Sequence, residues 1–535
     1  MSHSASPELL APGPRPPGAR SRAGRRGRGH PWLTLLAVAL GVMMVGLDAT
    51  VVSIANPAIA ADLGASLSGL QWVTNAYLLA LAVSLIPAGK LADRYGRKRV
   101  LLAGVIGFAV ASVMIGVSGG LGMVIFWRVV QGFAGALLQP AGLAILRNTF
   151  PPDKLNAALG IWGATVGVSI AGGPIVGGLL VEHVNWESVF FLNAPLGLVA
   201  LAVGYWVIRE SRDEEDRAAL DLPGVALLSG TLFALVWGLI KAGEDGFGAA
   251  VPLWSFAAAV VLGALFVAVE LRTRHPLLPL GLFRSASLSA ATGLIVLGFF
   301  AMFGTIFFIT LYLQQVHGMS PVDAGVRLLP MTGVFIVASP IAGALTNRFG
   351  PRVPLVLGML LTAAAMFGLS RIGVQAPYGE LWPWFVLIGL AFGLVIVAGT
   401  EAIVGNAPAH LAGVAGGLQQ TASQVGGVLG TAVLGTILST RVGDVLFDRL
   451  TGAGVPDQAA HGLAEQTEFV AQGVAPVPPG TPAPAADAIT TGSHLAFMDG
   501  FETSMTVAGA VALAAALIAL LVRRGETPVE GAAVV

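Results

Sequence analysis

The sequence predicts an all-α polytopic membrane protein with 14 transmembrane helices, and three observations carry that expectation. Hydrophobic residues make up 55% of the 535 and charged residues only 11%, with a mean hydropathy of +0.80. A soluble chain of this size carries roughly twice that charged fraction. Fourteen stretches reach the ~20 mainly apolar residues that span a bilayer. Lysine and arginine then alternate between the two sides. Of the 29, 22 fall on the side of the amino terminus, five on the other, and only Lys90 and Arg128 inside spans. Such an excess marks the cytoplasmic side and places both termini there. The net charge of zero is silent about partners, because the charges are segregated rather than mixed. With no cysteine, disulfides and thiolate metal sites are excluded. The eight histidines lack metal spacing and no Walker-A pattern occurs, so no metal, no cofactor and no direct use of ATP are expected. Nothing points to nucleic acid.

Residues 1–30 are Pro-, Gly- and Arg-rich, too polar to pack, and read as a disordered tail. The apolar run from Pro31 to Pro57 is too long for a signal core and lacks a small-residue cleavage site, so it stays as the first helix. Further spans are expected near 70–91, 99–117, 121–146, 157–181, 188–208, 222–241, 252–270, 286–314, 321–347, 353–371, 382–404, 412–438 and 502–523. The segment GALTNRFGPR, Gly343 to Arg352, is a degraded copy of GKLADRYGRKR, Gly89 to Arg99. The copies are offset by eight helices, which implies two helices inserted between six-helix halves. The expected division is 31–210, an inserted pair at 211–284, and 285–523, followed by a short tail at 524–535. A plain twelve-helix chain fits the charge alternation less well. In the long outer connection, 440–501, the Pro/Ala/Gly-rich stretch Gly473 to Ala488 is not expected to fold alone. Val442 to Leu450 reads as a short amphipathic helix at the interface, and no chemistry is assigned to the connection.

The loop from Gly89 to Arg99 lies between two apolar runs and carries Lys90, Asp93, Arg94, Arg97, Lys98 and Arg99. Charge packed this densely belongs at a membrane face. A plain solvated turn would account for the charge, but not for Gly89, the Asp93-Arg94 pair and Gly96 at these spacings. Two ionisable residues stand well inside spans, Asp48 in the first helix and Arg128 in the fourth, whereas Lys90 and Glu401 lie toward the cytoplasmic ends of theirs. A carboxylate in hydrocarbon is costly and is by default functional, with a partner or a proton. At ~1.5 Å rise per residue, Asp48 lies about 14 Å and Arg128 about 10 Å from the outer ends of their helices. Their depths match, so a pair is geometrically allowed, acting in proton coupling or only orienting two helices. In the fifth helix, GATVGVSIAGGPIVGG packs six glycines and Pro174 into sixteen residues, which permits close backbone approach and adds a bend. Gln131, Gln139, Gln419, Gln420 and Gln424 are candidates to line a central cavity.

GxLaDrxGrkr resembles the signature loop of the major facilitator superfamily, with Gly89, Asp93, Arg94, Gly96 and Arg97 in place. RxxQG at Arg128 resembles the family's fourth-helix motif. LDxT at Asp48 resembles the first-helix motif of fourteen-helix members, with Asn56-Pro57 where Leu-Pro is usual. Gly167, Gly173, Pro174, Gly177 and Gly178 resemble the antiporter motif, typical of exporters. NWESVFFLNAPLG resembles a segment of the drug-exporter branch, with Glu187-Ser188 for its Arg-Trp. The resemblance spans Leu33 to Arg523 and points to drug:proton antiporters of EmrB/QacA type. It implies the major facilitator fold, alternating access, Asp48 and Arg128 in proton coupling, and a conformational lock at Asp93 and Arg97. It further implies a monomer in a bacterial plasma membrane that moves small amphipathic or hydrophobic compounds against protons. A transport-dead or sensory binding protein, and a nutrient importer, are the alternatives. Asp48 weighs against the first, and the glycine-rich fifth helix against both. The glycine cluster at Gly172 to Pro174 is expected to seal the outer side.

Overall fold

The computed structural model describes residues 30–212, 221–273, 276–408 and 411–523. The expected tails at 1–29 and 524–535 lie outside these residues. The apolar runs become fourteen long helices: α1 (Pro31–Leu63), α2 (Leu67–Tyr95), α3 (Arg97–Gly116), α4 (Leu121–Thr149), α5 (Pro152–His183), α6 (Ser188–Val207), α7 (Leu222–Asp245), α8 (Ala250–Glu270), α9 (Ala286–Val316), α10 (Pro321–Phe349), α11 (Arg352–Leu369), α12 (Tyr378–Gly405), α13 (Ala412–Gly452) and α14 (Ala483–Ala519). Thirteen are apolar enough to span as single helices. The remaining span, α5, is bent by 40° between Ile161–Ile170 and Gly172–His183, beside Pro174, which cannot continue the backbone ladder. The last five residues of α9, Tyr312–Val316, form a π-helix.

Packing partners repeat at an interval of eight helices. In the first half α2 packs on α4, α3 on α4, α1 on α5 and α6, and α3 on α6. In the second, α10 packs on α12, α11 on α12, α9 on α13 and α14, and α11 on α14. The inserted pair α7 and α8 packs together, and α7 lies against α2 and α13, where the halves meet. Thr436 Oγ1 on α13 donates to Leu239 O at 2.6 Å and Ser439 Oγ to Gly243 O at 3.0 Å. The far side of α8 exposes Leu253, Trp254, Val260 and Val261, an apolar face that only lipid suits.

The core divides by depth. On the face opposite the Gly89–Arg99 loop, one continuous buried cluster runs across both halves, from Val51, Ile54 and Leu70 to Phe307, Leu434 and Phe501. Toward the loop face it splits into two: Val45, Leu81, Val105 and Leu138 in the first half, and Leu294, Leu355, Val395 and Ala515 in the second. The apolar core is thus continuous at one face and divided at the other, where Val428 and Ala432 of α13 join the first-half cluster.

The connection 440–501 differs from its sequence reading. α13 runs unbroken for 41 residues and α14 for 37, or about 60 and 55 Å, against a hydrocarbon core of ~30 Å. Their ends project beyond the bilayer as a helical hairpin. Val442, Leu446 and Leu450 are fully buried in the shared core together with Ile489, Ala496 and Phe497, so they form no surface helix. Arg449 clamps Asp499 with Nε–Oδ2 at 2.6 Å and Nη2–Oδ1 at 2.9 Å. Short helices Asp457–Ala464 and Thr467–Val470 cover the tip, and Ala483 already opens α14 within the Pro-rich stretch.

Candidate functional site

Helix α1 is apolar all round and carries Asp48 in its middle, 3% exposed; α4 carries Arg128, 1% exposed. The two meet directly through Arg128 Nη1 and Asp48 Oδ2. Arg128 Nη1 also donates to Gln131 Oε1 at 2.7 Å, one helical turn on, and Nε donates to Val73 O of α2 at 2.9 Å. Gln131 Nε2 donates to the second carboxylate oxygen, Asp48 Oδ1, at 2.9 Å and lies 3.1 Å from Ser112 Oγ of α3. Asn193 Nδ2 of α6 donates to the same hydroxyl at 2.9 Å. Above the guanidinium lie the ring of Tyr77, 4.2 Å to its centroid, and that of Phe190 at 5.9 Å. Both oxygens of one carboxylate are therefore engaged, and five helices meet at a buried charge pair.

Chemically this is a buried carboxylate–guanidinium pair that joins α1 to α4, with a cation that cannot discharge as one partner. Removing either partner would leave the other buried without its counter-charge. Gln131, expected to line a cavity, instead belongs to this cluster. Asn56, where the sequence departs from Leu, is 1% exposed and its Oδ1 has no donor.

The glycines of α5 serve two partners. A Cβ on Gly173 would stand 2.0 Å from Thr50 Oγ1 and 3.3 Å from Leu47 O, so Gly173 admits α1 beside Asp48. Gly177 likewise packs on the backbone of Val51. Gly178 faces the other half: its Cβ would lie 2.6 Å from Pro321 O, and one on Gly325 of α10 would lie 2.3 Å from Pro174 O. Glu182 extends the contact by accepting from Val322 N at 3.1 Å. The seal expected at Gly172 to Pro174 is therefore carried between halves by Gly178, Gly325 and the Pro174 carbonyl. Among the described residues a Cβ on Gly172 would meet nothing within 4 Å, and one on Gly167 would stand 3.8 Å from Phe335 and Ile336.

A polar seam joins α2 to α13. Gln71 Nε2 donates to Thr431 O at 2.9 Å, Thr431 Oγ1 to Asn75 Oδ1 at 2.6 Å and Thr421 Oγ1 to Ala82 O at 3.2 Å. Nearer the loop face Gln420 Nε2 of α13 donates to Gln139 Oε1 of α4 at 2.9 Å, a pairing of two cavity candidates. Gln419 turns back on Ser423 of its own helix at 3.0 Å, and Gln424 is half-buried.

At the loop, Arg97 Nε donates to Asp93 Oδ1 at 2.8 Å. Gly96 takes φ 108°, and a Cβ there would also strike the Glu210 carboxylate at 2.6 Å. Glu210 accepts from Lys98 N and Ser211 N, both at 3.1 Å, capping the start of α3. Gly89 leaves Pro140 at ordinary contact distance, and Arg94 lies over Tyr95 at 5.4 Å. In the degraded copy Gly350 repeats the positive φ, at 76°, and Arg352 Nε bonds Val522 O at 2.9 Å. Sequence reasoning missed Tyr77, Ser112, Asn193, Glu210 and the seam residues. Only Gln71 and Asn75 left a trace, as polar residues four apart in an otherwise apolar helix.

Two repeated six-helix bundles, the first holding a buried carboxylate–guanidinium pair, with a helix pair inserted between them, have the architecture of a secondary transporter. Residues 38–431 match the model of the Major Facilitator Superfamily, and the chain belongs to that family. It is 53% identical over 500 residues to the tetracenomycin C resistance and export protein of Streptomyces glaucescens, covering 93% of each chain. It is 33% identical over 491 residues to the multidrug efflux pump LfrA of Mycolicibacterium smegmatis, covering 91% of this chain and 95% of that one. Identity to a puromycin resistance protein of Streptomyces alboniger is 35% over 444 residues, covering 82% and 88%. Among solved structures, a bacterial homolog of the human lysosomal transporter Spinster, inward-facing and occupied, matches with TM-score 0.59 at 19% identity, covering 91% and 95% of the two chains. A peptide transporter in complex with sulfate matches with TM-score 0.60 at 14% identity and the same coverage. The chain is a multi-pass membrane transporter and not an enzyme.

Proposed function

We propose that this protein exports antibiotics and related small amphipathic compounds across a bacterial plasma membrane in exchange for protons. Export rests on the similarity along nearly the whole chain to an antibiotic resistance and export protein. Proton coupling rests on one observation: a carboxylate buried in the middle of a span, Asp48, with both oxygens bonded and a fixed cation as counter-charge. Both termini and the Gly89–Arg99 loop lie in the cytoplasm on the strength of the lysine and arginine alternation. The shared core then lies at the outer face. In the exchange cycle Asp48 accepts a proton from outside, the Arg128 balance is lost, and the first half repacks. Release of the proton to the cytoplasm restores the pair. Transport needs no cofactor, and the protein works as a monomer.

The test uses the full-length protein in vesicles with puromycin and tetracenomycin C as substrates. An imposed pH gradient should drive accumulation that a protonophore abolishes. Accumulation without a gradient, or none with either compound while both bind, would overturn this reading. The importer and sensory readings are disfavoured by the α5–α10 closure and by the engaged Asp48.

A further inference from the structure

A second carboxyl pair lies outside the site just described, where the inserted helices reach the loop face. Asp221 precedes α7 and Glu270 ends α8; they are 6% and 4% exposed. Asp221 Oδ1 accepts from Gly224 N at 2.9 Å and Oδ2 from Leu277 N at 3.4 Å. Glu270 Oε2 accepts from Leu278 N at 3.2 Å, but its Oε1 is buried with no donor. That orphan oxygen and Asp221 Oδ2 converge on one point: each lies 2.6 Å from where a Cβ on Gly224 would stand. Every other oxygen of the pair has a backbone N–H, and no metal-binding cluster occurs among the described residues. Among the described residues, the charged group that reaches this region from a neighbouring helix is Lys90 of α2, and its ammonium bonds Pro276 O at 3.3 Å rather than either acid. Arg272 and Arg284, on the flanking segments, are exposed.

Two carboxylates brought together away from water, with no cation between them among the described residues, cannot both stay ionised. We propose that Asp221 and Glu270 share one proton, a proton-binding site at the cytoplasmic ends of the inserted helices. The shared proton supplies the donor that Glu270 Oε1 lacks. It fastens α7 to α8 and holds the strap 276–278, which Lys90 grips from the other side. Removing it puts two negative charges at one spot and loosens the strap that links the inserted pair to the switch-bearing helix. Gly224 is required because any side chain would occupy the point of contact. The site is separate from Asp48, and its test does not depend on transport; only the word cytoplasmic rests on the topology proposed above.

Infrared difference spectra of the purified full-length protein, recorded as pH is raised, read protonated carboxyls directly. The expected result is a protonated-carboxyl band at neutral pH that fades on alkalinisation and is absent from both Glu270→Gln and Asp221→Asn. In parallel, the wild-type melting temperature should fall as pH rises through the same interval, while Glu270→Gln, the neutral mimic, stays flat across it. A band unaffected by either substitution would overturn the proposal. So would a Glu270→Gln melting profile that still follows the wild type, or a Glu270→Gln protein that fails to fold, since the neutral form is the one proposed to be present.

Discussion

Asp48 and Arg128 were legible from sequence because their residue types cannot rest in hydrocarbon and counting along two helices gave them matching depths. Their partners were not, because Ser112, Asn193 and Tyr77 are ordinary residues whose place depends on how five helices meet. Gln131 misled for the same reason, since a glutamine in a span reads equally as cavity or core. Its geometry makes a prediction. Gln131→Leu removes donors and acceptors from both Asp48 and Arg128 and should cost about 1–3 kcal/mol, seen as a lower melting temperature with coupled efflux impaired. Asp48→Asn keeps an acceptor for Gln131 but strands the Arg128 charge. A stability loss of about 3–5 kcal/mol is expected, together with puromycin efflux that no longer follows an imposed pH gradient. Gradient-driven rates equal to wild type would rule out Asp48 as the coupling group. A third residue, His317, lies just past α9 on the face away from the Gly89–Arg99 loop, its Nε2 2.8 Å from the Tyr312 hydroxyl. Burial first, and the Arg327 charge second, hold its ring below the usual histidine range. The unfolded ring titrates near ~6.5, so the stability of the neutral form is complete above that value and is lost as pH falls through it. Melting temperature should therefore drop on acidification below about pH 6.5 more steeply in wild type than in His317→Gln.

At the scale of elements, hydropathy located all fourteen spans and the repeat between them, since each span must satisfy its own backbone inside the bilayer. The ends of α13 and α14 escaped because length beyond the hydrocarbon carries no hydropathy signal. A stretch rich in proline and alanine also reads as irregular until its packing partner is known. The signal was present in the i, i+4, i+8 spacing of Val442, Leu446 and Leu450, which marks a buried stripe as readily as an interfacial one. The glycines of α5 were legible as a class but not by partner, and the structure separates them into two experiments. Gly173→Ala drives a methyl into Thr50 within the first half, so it should lower the melting temperature by an amount equivalent to about 1–3 kcal/mol without favouring either face. Gly325→Ala instead strikes the Pro174 carbonyl across the halves, a contact that the proposed outward-open state would break. A similar cost charged to one state alone moves the equilibrium by about 5–150-fold toward outward-open. The chain has no cysteine, so Val322→Cys gives a clean reporter of labelling from outside. Labelling should rise in the Gly325→Ala background and stay unchanged with Gly173→Ala.

For the molecule as a whole, the question is what lets two halves that share one outer core come apart. The closed face is held by backbone approach at Gly178 and Gly325 and by a short seam of hydrogen bonds at Gln71, Asn75 and Thr431, contacts that can be broken as a set. Across the molecule, at the opposite face, the Gly89–Arg99 loop is tied to its own half. Arg97 bonds Asp93, its backbone N–H donates to Ser211 O at 3.0 Å, and Glu210 caps the start of α3. The Asp93 side chain is 32% exposed and that of Arg97 14%, and i, i+4 pairs of this kind are worth only about 0.3–0.5 kcal/mol. So small a contribution cannot hold the fold, but it is of the right size to tilt a balance between two conformations a few kcal/mol apart. Asp93→Asn and Arg97→Ala should accordingly leave the melting temperature within a degree or two of wild type, since about 1 kcal/mol moves a protein of this size little. Both should slow turnover while puromycin affinity, measured on the same sample at equilibrium, changes little, because the loop lies at the membrane face away from the Asp48 cluster. A large loss of affinity with unaltered turnover of bound substrate would place these residues in the binding site. Turnover and affinity both unchanged would mean that the loop only fixes topology.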